Sequence, residues 1–361
     1  MSNFLELLDI FGFFDRKKLP KMPKDFKPVG EFNPVTLDVK KMPDEIIIKK
    51  PHFNTDAIQS YDKETKKFIY RPQTLEEYIG QAKAKELIKL NVKKIKELRA
   101  VHFLISGDKG HGKTTVAHII KNLLDAEMIE RIASQLSDPN QLIEIINTIN
   151  NSKKYPILFL DEVHNLTVDL AEMLYPIMED FKVASKLVKP FSLIGATTEK
   201  NLLVKNCPPF VDRFQVQIEL EHYTANNIIE IIKQYHKQLY PDYHISDKTF
   251  NIIAQNCKFT PRIAITLLED SLIEQNIQKV LQYHRIVKQG LTETDVKIIM
   301  ALKKNVKPMG EEAISQIVGV SRADYRTVYE PFLVKQGYVI RTTRGRMIGH
   351  NADQLLQGLK I

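Results

Sequence analysis

The chain has 361 residues, enough for two or three domains that each bury a core. Its 43% apolar and 27% charged residues are those of a globular protein; no apolar run approaches the roughly 18 residues of a membrane span, and the start lacks a secretory signal, so a cytoplasmic protein without a membrane partner is expected. Two cysteines, Cys207 and Cys257, exclude a disulfide framework, and a net charge of +8 points to a polyanion such as nucleic acid, or to a merely soluble basic protein.

Residues 1–68 read as a basic, proline-rich extension. Six of the 17 prolines lie between Pro20 and Pro51, interspersed with Lys21, Lys24, Lys27, Lys40 and Lys41. Proline fixes φ and removes an amide donor, so neither a helix nor a sheet ladder propagates there. Residues 69–221 then alternate strands and helices: Val101 to Ser106 is a short apolar strand, Lys113 to Leu124 a helix, Ile157 to Leu160 a second buried strand and Phe191 to Ala196 a third. Buried strands separated by helices predict an α/β domain with a parallel sheet. In residues 222–289 the strands stop. Ile228, Ile231, Ile232 and Tyr235 fall at i, i+3, i+4 and i+7, the spacing of one helix face, and predict an all-α unit. Residues 290–361 carry two or three helices and then Tyr338 to Met347, a hairpin predicted to turn at Arg344-Gly345, which together suggest a winged helix.

The sharpest motif is Gly107-Asp-Lys-Gly-His-Gly-Lys-Thr114, a full GxxxxGK[ST] between a predicted strand and a predicted helix. Gly107, Gly110 and Gly112 let backbone amides turn inward around the phosphates of ATP, and the positive end of the following helix faces the same anion. Lys113 is expected to reach the β and γ phosphates, and Thr114 to hold Mg²⁺. In Ile157-Leu-Phe-Leu-Asp-Glu162 a buried strand ends in two acids: Asp161 to assist the metal, Glu162 to polarise the attacking water. Arg341, Arg344 and Arg346 crowd the predicted wing. They read as DNA-phosphate contacts that position without reading sequence, or as a solvated basic loop.

These motifs, with Arg71-Pro-Gln-Thr-Leu-Glu-Glu-Tyr-Ile-Gly-Gln81, Asp161-Glu-Val-His164, Leu174 to Phe181, Pro190 to Thr198, Asp212-Arg-Phe214, Thr260-Pro-Arg-Ile-Ala264, Tyr329 to Leu333 and Arg341 to Met347, occur in an order that resembles the RuvB family of AAA+ ATPases. The resemblance implies an AAA+ P-loop domain, a helical lid and a C-terminal winged helix. It implies an ATP-driven, hexameric ring that moves four-way DNA junctions in recombination and repair. It places Tyr78 and Ile79 in the adenine pocket, Thr115 and Tyr223 beside the nucleotide, Thr198 as the sensor-1 residue, Arg213 as the arginine finger given to a neighbouring subunit, and Arg262 as sensor 2. A clamp loader or helicase loader remains open from the active-site residues alone, whereas the intact Lys113, Thr114, Asp161, Glu162, Arg213 and Arg262 argue against a DNA-binding adaptor with a weakened ATPase.

The chain also departs from the family. Asp108-Lys109 replaces paired prolines, Val211 replaces an arginine, and only Lys182 to Lys189 remains where the family carries a β-hairpin that docks the partner RuvA. Two useful strands and a turn take about ten residues or more, so the docking hairpin is expected to be missing and RuvA not to be used in the usual way. In the arm, Ile10-Phe-Gly-Phe-Phe14 followed by Arg16, Lys17 and Lys18 resembles a sliding-clamp docking peptide, with Leu7 where that motif has Gln. The other reading is an amphipathic stretch packed on the ATPase core.

Overall fold

The computed structural model describes residues 70–357 except 184, 185 and 306, and, ahead of them, two short antiparallel strands, Tyr61–Asp62 and Lys67–Phe68. Most of the proline-rich extension, including its aromatic motif, lies outside the described residues.

Five strands form one sheet: β1 (Phe103–Ser106), β2 (Glu127–Ile132), β3 (Pro156–Asp161), β4 (Ser192–Thr197) and β5 (Val216–Glu219). Their order is β2-β3-β4-β1-β5 and every pair is parallel. The three strands read as apolar runs are the three central ones, because a strand covered on both faces needs apolar residues at consecutive positions. The third runs one residue later than the sequence suggests, ending at Thr197.

Alternate residues serve the two faces. Leu104, Leu158, Leu160 and Leu193 pack against α3 (Pro139–Asn151) and α4 (Val168–Glu179) through Leu142, Ile145, Leu170 and Leu174. Phe103, Ile105, Ile157, Phe159 and Ile194 pack on α1 (Ala82–Glu97) and α2 (Lys113–Leu123) through Ile88, Val116, Ile119 and Ile120. Each such fully buried aliphatic side chain stabilises the fold by about 1.5–3 kcal/mol relative to exposure. The order of the strands matters for function: the carboxyl ends of β3, β4 and β1 lie side by side, so the segments that follow them meet at one rim of the sheet, where ligands bind in open α/β sheets.

After β5 come four helices, α7 (Ala225–Leu239), α8 (Asp247–Asn256), α9 (Pro261–Glu274) and α10 (Ile277–Tyr283), preceded in the chain by two short ones, α5 (Lys200–Asn206) and α6 (Pro208–Asp212). Ile228, Ile232 and Tyr235 are buried in their shared core, as the spacing predicts, while Ile231 turns to the neighbouring cleft. Thr224 and Asn227 cap α7 reciprocally, which fixes where the helical unit starts. A further core joins α11 (Glu293–Lys304), α12 (Glu311–Val318) and the helical stretch through Glu330–Lys335 to the hairpin Val339–Thr342/Gly345–Ile348.

That hairpin corrects the predicted turn. Thr342 pairs with Gly345, so the two linking residues are Thr343 and Arg344. Gly345 is needed for a different reason: Met309 and Arg346 exchange two backbone hydrogen bonds, and a Cβ on Gly345 would lie 2.5 Å from the Met309 carbonyl oxygen. Among its described residues the segment between Phe181 and Pro190 holds only two-residue strands, Lys182–Val183 and Lys186–Leu187, with Leu187 exposed.

Candidate nucleotide site and DNA-facing wing

Gly107 to Thr114 leaves the end of β1 and turns directly into α2, whose N-cap is Gly112. Gly110 and Gly112 have φ of +83° and +93°, which favour glycine, and both are closely covered. A Cβ on Gly110 would sit 2.9 Å from Thr260 Cγ2, and one on Gly112 would sit 3.1 Å from the Tyr78 hydroxyl. Glycine therefore lets the lid and the tyrosine close on the loop at the N-terminus of α2.

A cleft of about 680 Å³ opens there, a size suited to a small-molecule ligand. Of the residues singled out in the sequence, Tyr78, Ile79, Gly110, Gly112, Lys113, Thr114, Thr115, Asp161, Glu162, Tyr223 and Arg262 line it. Gly107 stands behind, against Leu220. The Tyr223 hydroxyl donates to the His111 carbonyl at 3.2 Å and lies 3.4 Å from the Tyr78 hydroxyl, tying the entry to the lid to the loop.

Lys113 Nζ donates to the carbonyls of Gly107 and Asp108, at 2.9 and 3.2 Å. Burial lowers its pKa, against the pull of Glu162, Asp161 and Asp108. Burial raises the Asp161 carboxyl above its ordinary range, against the Glu162 N–H that donates to it. A carboxyl raised in this way is one that a bound cation returns to the ionised form, so Asp161 and the Thr114 hydroxyl fit a magnesium ion.

Glu162 sits at φ +48°, a left-handed conformation that costs a residue with a Cβ about 1–3 kcal/mol and is retained at functional sites. Its Oε2 accepts from the Thr198 amide at 3.2 Å and the Thr198 hydroxyl at 2.9 Å. His164 Nδ1 lies 3.3 Å from the same oxygen and 2.9 Å from Thr197 Oγ1. The Glu162 carboxylate is thus held by the residue that follows the neighbouring strand β4. The Asp161-Glu-Val-His164 motif contains His164, whose contact with Glu162 the sequence does not reveal. Tyr70 and Gln234 also line the cleft, with Gln234 donating to Tyr70 at 2.7 Å, and no sequence motif marked them; Tyr235, read from its spacing as a helix-face residue, lines it too.

Arg213 is elsewhere. Its guanidinium lies 3.9 Å above the Tyr175 ring, donates to the Pro209 carbonyl at 2.6 Å and pairs with Glu179 at 3.3 Å. It pairs with Glu179, not with adjacent Asp212, and it does not line its own chain's cleft. Cys207 and Cys257 are buried free thiols, as expected, and burial pushes Cys257 up to about 11.

The three wing arginines are not equivalent. Arg346 is 17% exposed and bonds both Glu330 and Glu311; Glu330, fully buried, also takes a 2.7 Å bond from Arg341. Burial alone would raise both acids, yet the arginines outweigh it: Glu311 is held at about 2, and Glu330 below its usual range. Arg346 is therefore committed to the fold. Among the described residues the Arg344 side chain has no hydrogen-bond or ion-pair partner, and it stands at the tip of the hairpin.

Two family models match the chain: the Holliday junction DNA helicase RuvB P-loop domain over residues 70–220, and the RuvB C-terminal winged helix domain over residues 288–357. The RuvB subunit of the Holliday junction branch migration complex from Kosmotoga olearia is 32% identical over 304 residues, 77% of this chain and 86% of that protein. That of Mycoplasma genitalium is 30% identical and covers 80% of this chain and 98% of its own. Among solved structures, the Thermotoga maritima RuvB Holliday junction branch migration motor superposes with a TM-score of 0.69 at 32% identity, over 80% of this chain and 98% of that one. Among the described residues no helix is long and apolar enough to cross a membrane. Of the functional classes the active-site residues leave open, these likenesses over both the P-loop region and the winged helix select the motor, and the chain belongs to the RuvB family as a Holliday junction branch migration ATPase.

Proposed function

We propose that this motor works as a homo-oligomeric ring, hexameric by its resemblance to the family, that binds DNA through its wing and completes each ATP site with an arginine from the adjacent subunit. The observation that supports it most directly is the placement of Arg213: a guanidinium outside its own cleft, on a helix end, while every other proposed ATPase residue lies in or directly behind that cleft. The working parts are residues 69–221, 222–289 and 290–361, with 1–68 as an added arm.

Lys113 and the loop amides would hold the β and γ phosphates, and Arg262 would cover them from the lid. A magnesium ion held by Thr114 and Asp161 would neutralise charge between the phosphates. Glu162 orients and polarises the attacking water, and Thr198 fixes the carboxylate while it does so. The partner's Arg213 adds positive charge where the transition state gains negative charge, a contribution of roughly 10³–10⁵ in rate in related phosphoryl transfers. On the DNA side Arg344, with the half-exposed Arg341, contacts phosphates, so binding follows junction structure and not base sequence.

The shortened segment at Lys182 to Lys189 supports a motor that loads without RuvA or through another partner. The test is unwinding of a synthetic four-way junction with ATP. Arg213→Ala should bind ATP without hydrolysing it, and mixing it with Lys113→Ala subunits should restore activity where an intact finger faces an intact cleft. Absence of rescue at every mixing ratio would sink the shared-site reading, and tight binding of a bacterial RuvA by a truncation starting near Phe68 would sink the partner reading.

A further inference from the structure

Beside the cleft, three side chains that the ATPase chemistry does not use converge. Asp108 and His111 come from the P-loop and His222 from the segment between β5 and the lid, and one donor atom from each lies within 4.8 Å of the other two. His222 Nδ1 stands 3.5 Å from Asp108 Oδ2, and the imidazoles of His111 and His222 meet edge to face at 5.4 Å. His111 is 3% exposed, and its buried Nδ1 has no hydrogen-bond partner among the described residues, a condition that native proteins seldom leave unanswered. Asp108 and His222 are about half exposed, so an ion can reach them from solvent.

Two imidazoles and one carboxylate form a nitrogen-rich set. Zinc-class ions take such sets, keeping a fourth position for water, whereas magnesium prefers oxygen. We propose that Asp108, His111 and His222 bind a zinc-class divalent transition-metal ion, distinct from the nucleotide's cation, that ties the P-loop to the segment leading into the lid. The Asp108-Lys109 pair that departs from the family's prolines supplies one of the three ligands. Lys335, from the winged-helix region, stands close enough to act electrostatically on all three side chains. A divalent ion held by these three ligands would repel that ammonium, so metal binding and the position of Lys335 would be coupled.

The experiment uses the full chain, free of nucleotide and magnesium, titrated with cobalt(II) and separately dialysed against zinc before metal analysis. One equivalent per chain is expected, with the intense visible absorption of four-coordinate cobalt. His222→Ala and Asp108→Asn, each checked for folding by circular dichroism, should weaken binding by more than the roughly 10–100-fold that loss of an outer-shell partner costs. Lys335→Ala should tighten it severalfold, and Asp161→Asn should leave it unchanged. No retained zinc and no cobalt spectrum would overturn the site. So would binding that survives His222→Ala and Asp108→Asn but is lost in Asp161→Asn, because the ion would then occupy the nucleotide's own metal position.

Discussion

Replacing Arg344 and Arg346 separately by Ala should produce two unlike proteins. Removing Arg346 leaves Glu330, fully buried, with Arg341 as its one remaining ion-pair partner, and takes from Glu311 one of its three arginines. Breaking a buried pair from one side costs about 3–5 kcal/mol, because the abandoned charge stays desolvated. The winged-helix region matched by its family model spans residues 288–357. At roughly 0.05–0.15 kcal/mol per residue its whole stability is on the order of 3–10 kcal/mol, so Arg346→Ala should leave much of it unfolded. Arg344 has no such partner, and its loss should change stability by no more than about 0.5 kcal/mol. Its effect should appear on DNA. Each lost phosphate contact flattens the slope of log K against log salt by ~0.9, or about a 3.5-fold smaller loss of affinity between roughly 50 and 200 mM salt. Urea unfolding followed by far-ultraviolet circular dichroism gives the first quantity, and fluorescence anisotropy with labelled junctions of two sequences gives the second. An Arg346→Ala protein of unchanged stability whose salt slope falls more than that of Arg344→Ala would refute the division of labour.

Glu162→Gln should retain ATP binding and lose turnover, while Thr198→Val, which removes the hydroxyl that holds Glu162, should lower kcat with ATP affinity nearly unchanged; filter binding and phosphate release check both. Asp295→Ala should destabilise the protein by about 3–5 kcal/mol in urea titration, since Asp295 is fully buried, pairs with Lys258 at 2.7 Å and caps α11 through Thr292; a loss under about 1 kcal/mol would contradict the pairing. Stability should also fall with acid well above the carboxylate range. His102 accepts from the Leu193 amide and donates to the Met178 carbonyl, and burial lowers its pKa to about 4. The unfolded chain binds that proton first, so the contribution is complete above about pH 6.5 and lost as pH falls towards 4, amounting to ~2 kcal/mol by pH 5 at 1.36 kcal/mol per pKa unit. Urea midpoints at pH 7 and pH 5, compared with His102→Gln, measure it.

The central strands were legible because burial on both faces forces consecutive apolar residues. β2 and β5 were not: as edge strands they carry Glu127, Glu130, Arg131, Gln217 and Glu219 on exposed positions, and such mixed segments look like loops. The P-loop and the acids at the end of β3 were readable because phosphate chemistry fixes residue types at short spacing, whereas Tyr78 was placed only by the resemblance to the family. Contacts that depend on distant chain segments were not. The wing's charge was visible in Arg341, Arg344 and Arg346, but nothing local says that Glu311 and Glu330 claim Arg346 while Arg344 is left to solvent. The glycine at Gly345 marked the hairpin correctly and its turn wrongly, because its role is to admit the Met309 backbone.

The same long-range contacts indicate which joint of the motor is stiff. Lys258 and Arg262 flank a single turn at the start of α9, where Lys258 and Phe259 both adopt left-handed φ. Arg262 faces the nucleotide cleft, and Lys258 reaches into the winged-helix region, bonded to buried Asp295 with the rings of Tyr329 and Phe332 at 6.0 and 5.0 Å. Separating those partners strands a desolvated carboxylate, so the lid and the winged-helix region resist motion against each other. The lid meets the P-loop differently: the side chains of Thr260 and Arg262 lie over Gly110, and the hydrogen bond from Tyr223 to the His111 carbonyl joins the lid's entry to the loop without a buried ion pair. Any movement of the lid on nucleotide binding is therefore expected to be passed, through the buried Lys258–Asp295 pair, to the winged-helix region that bears Arg344.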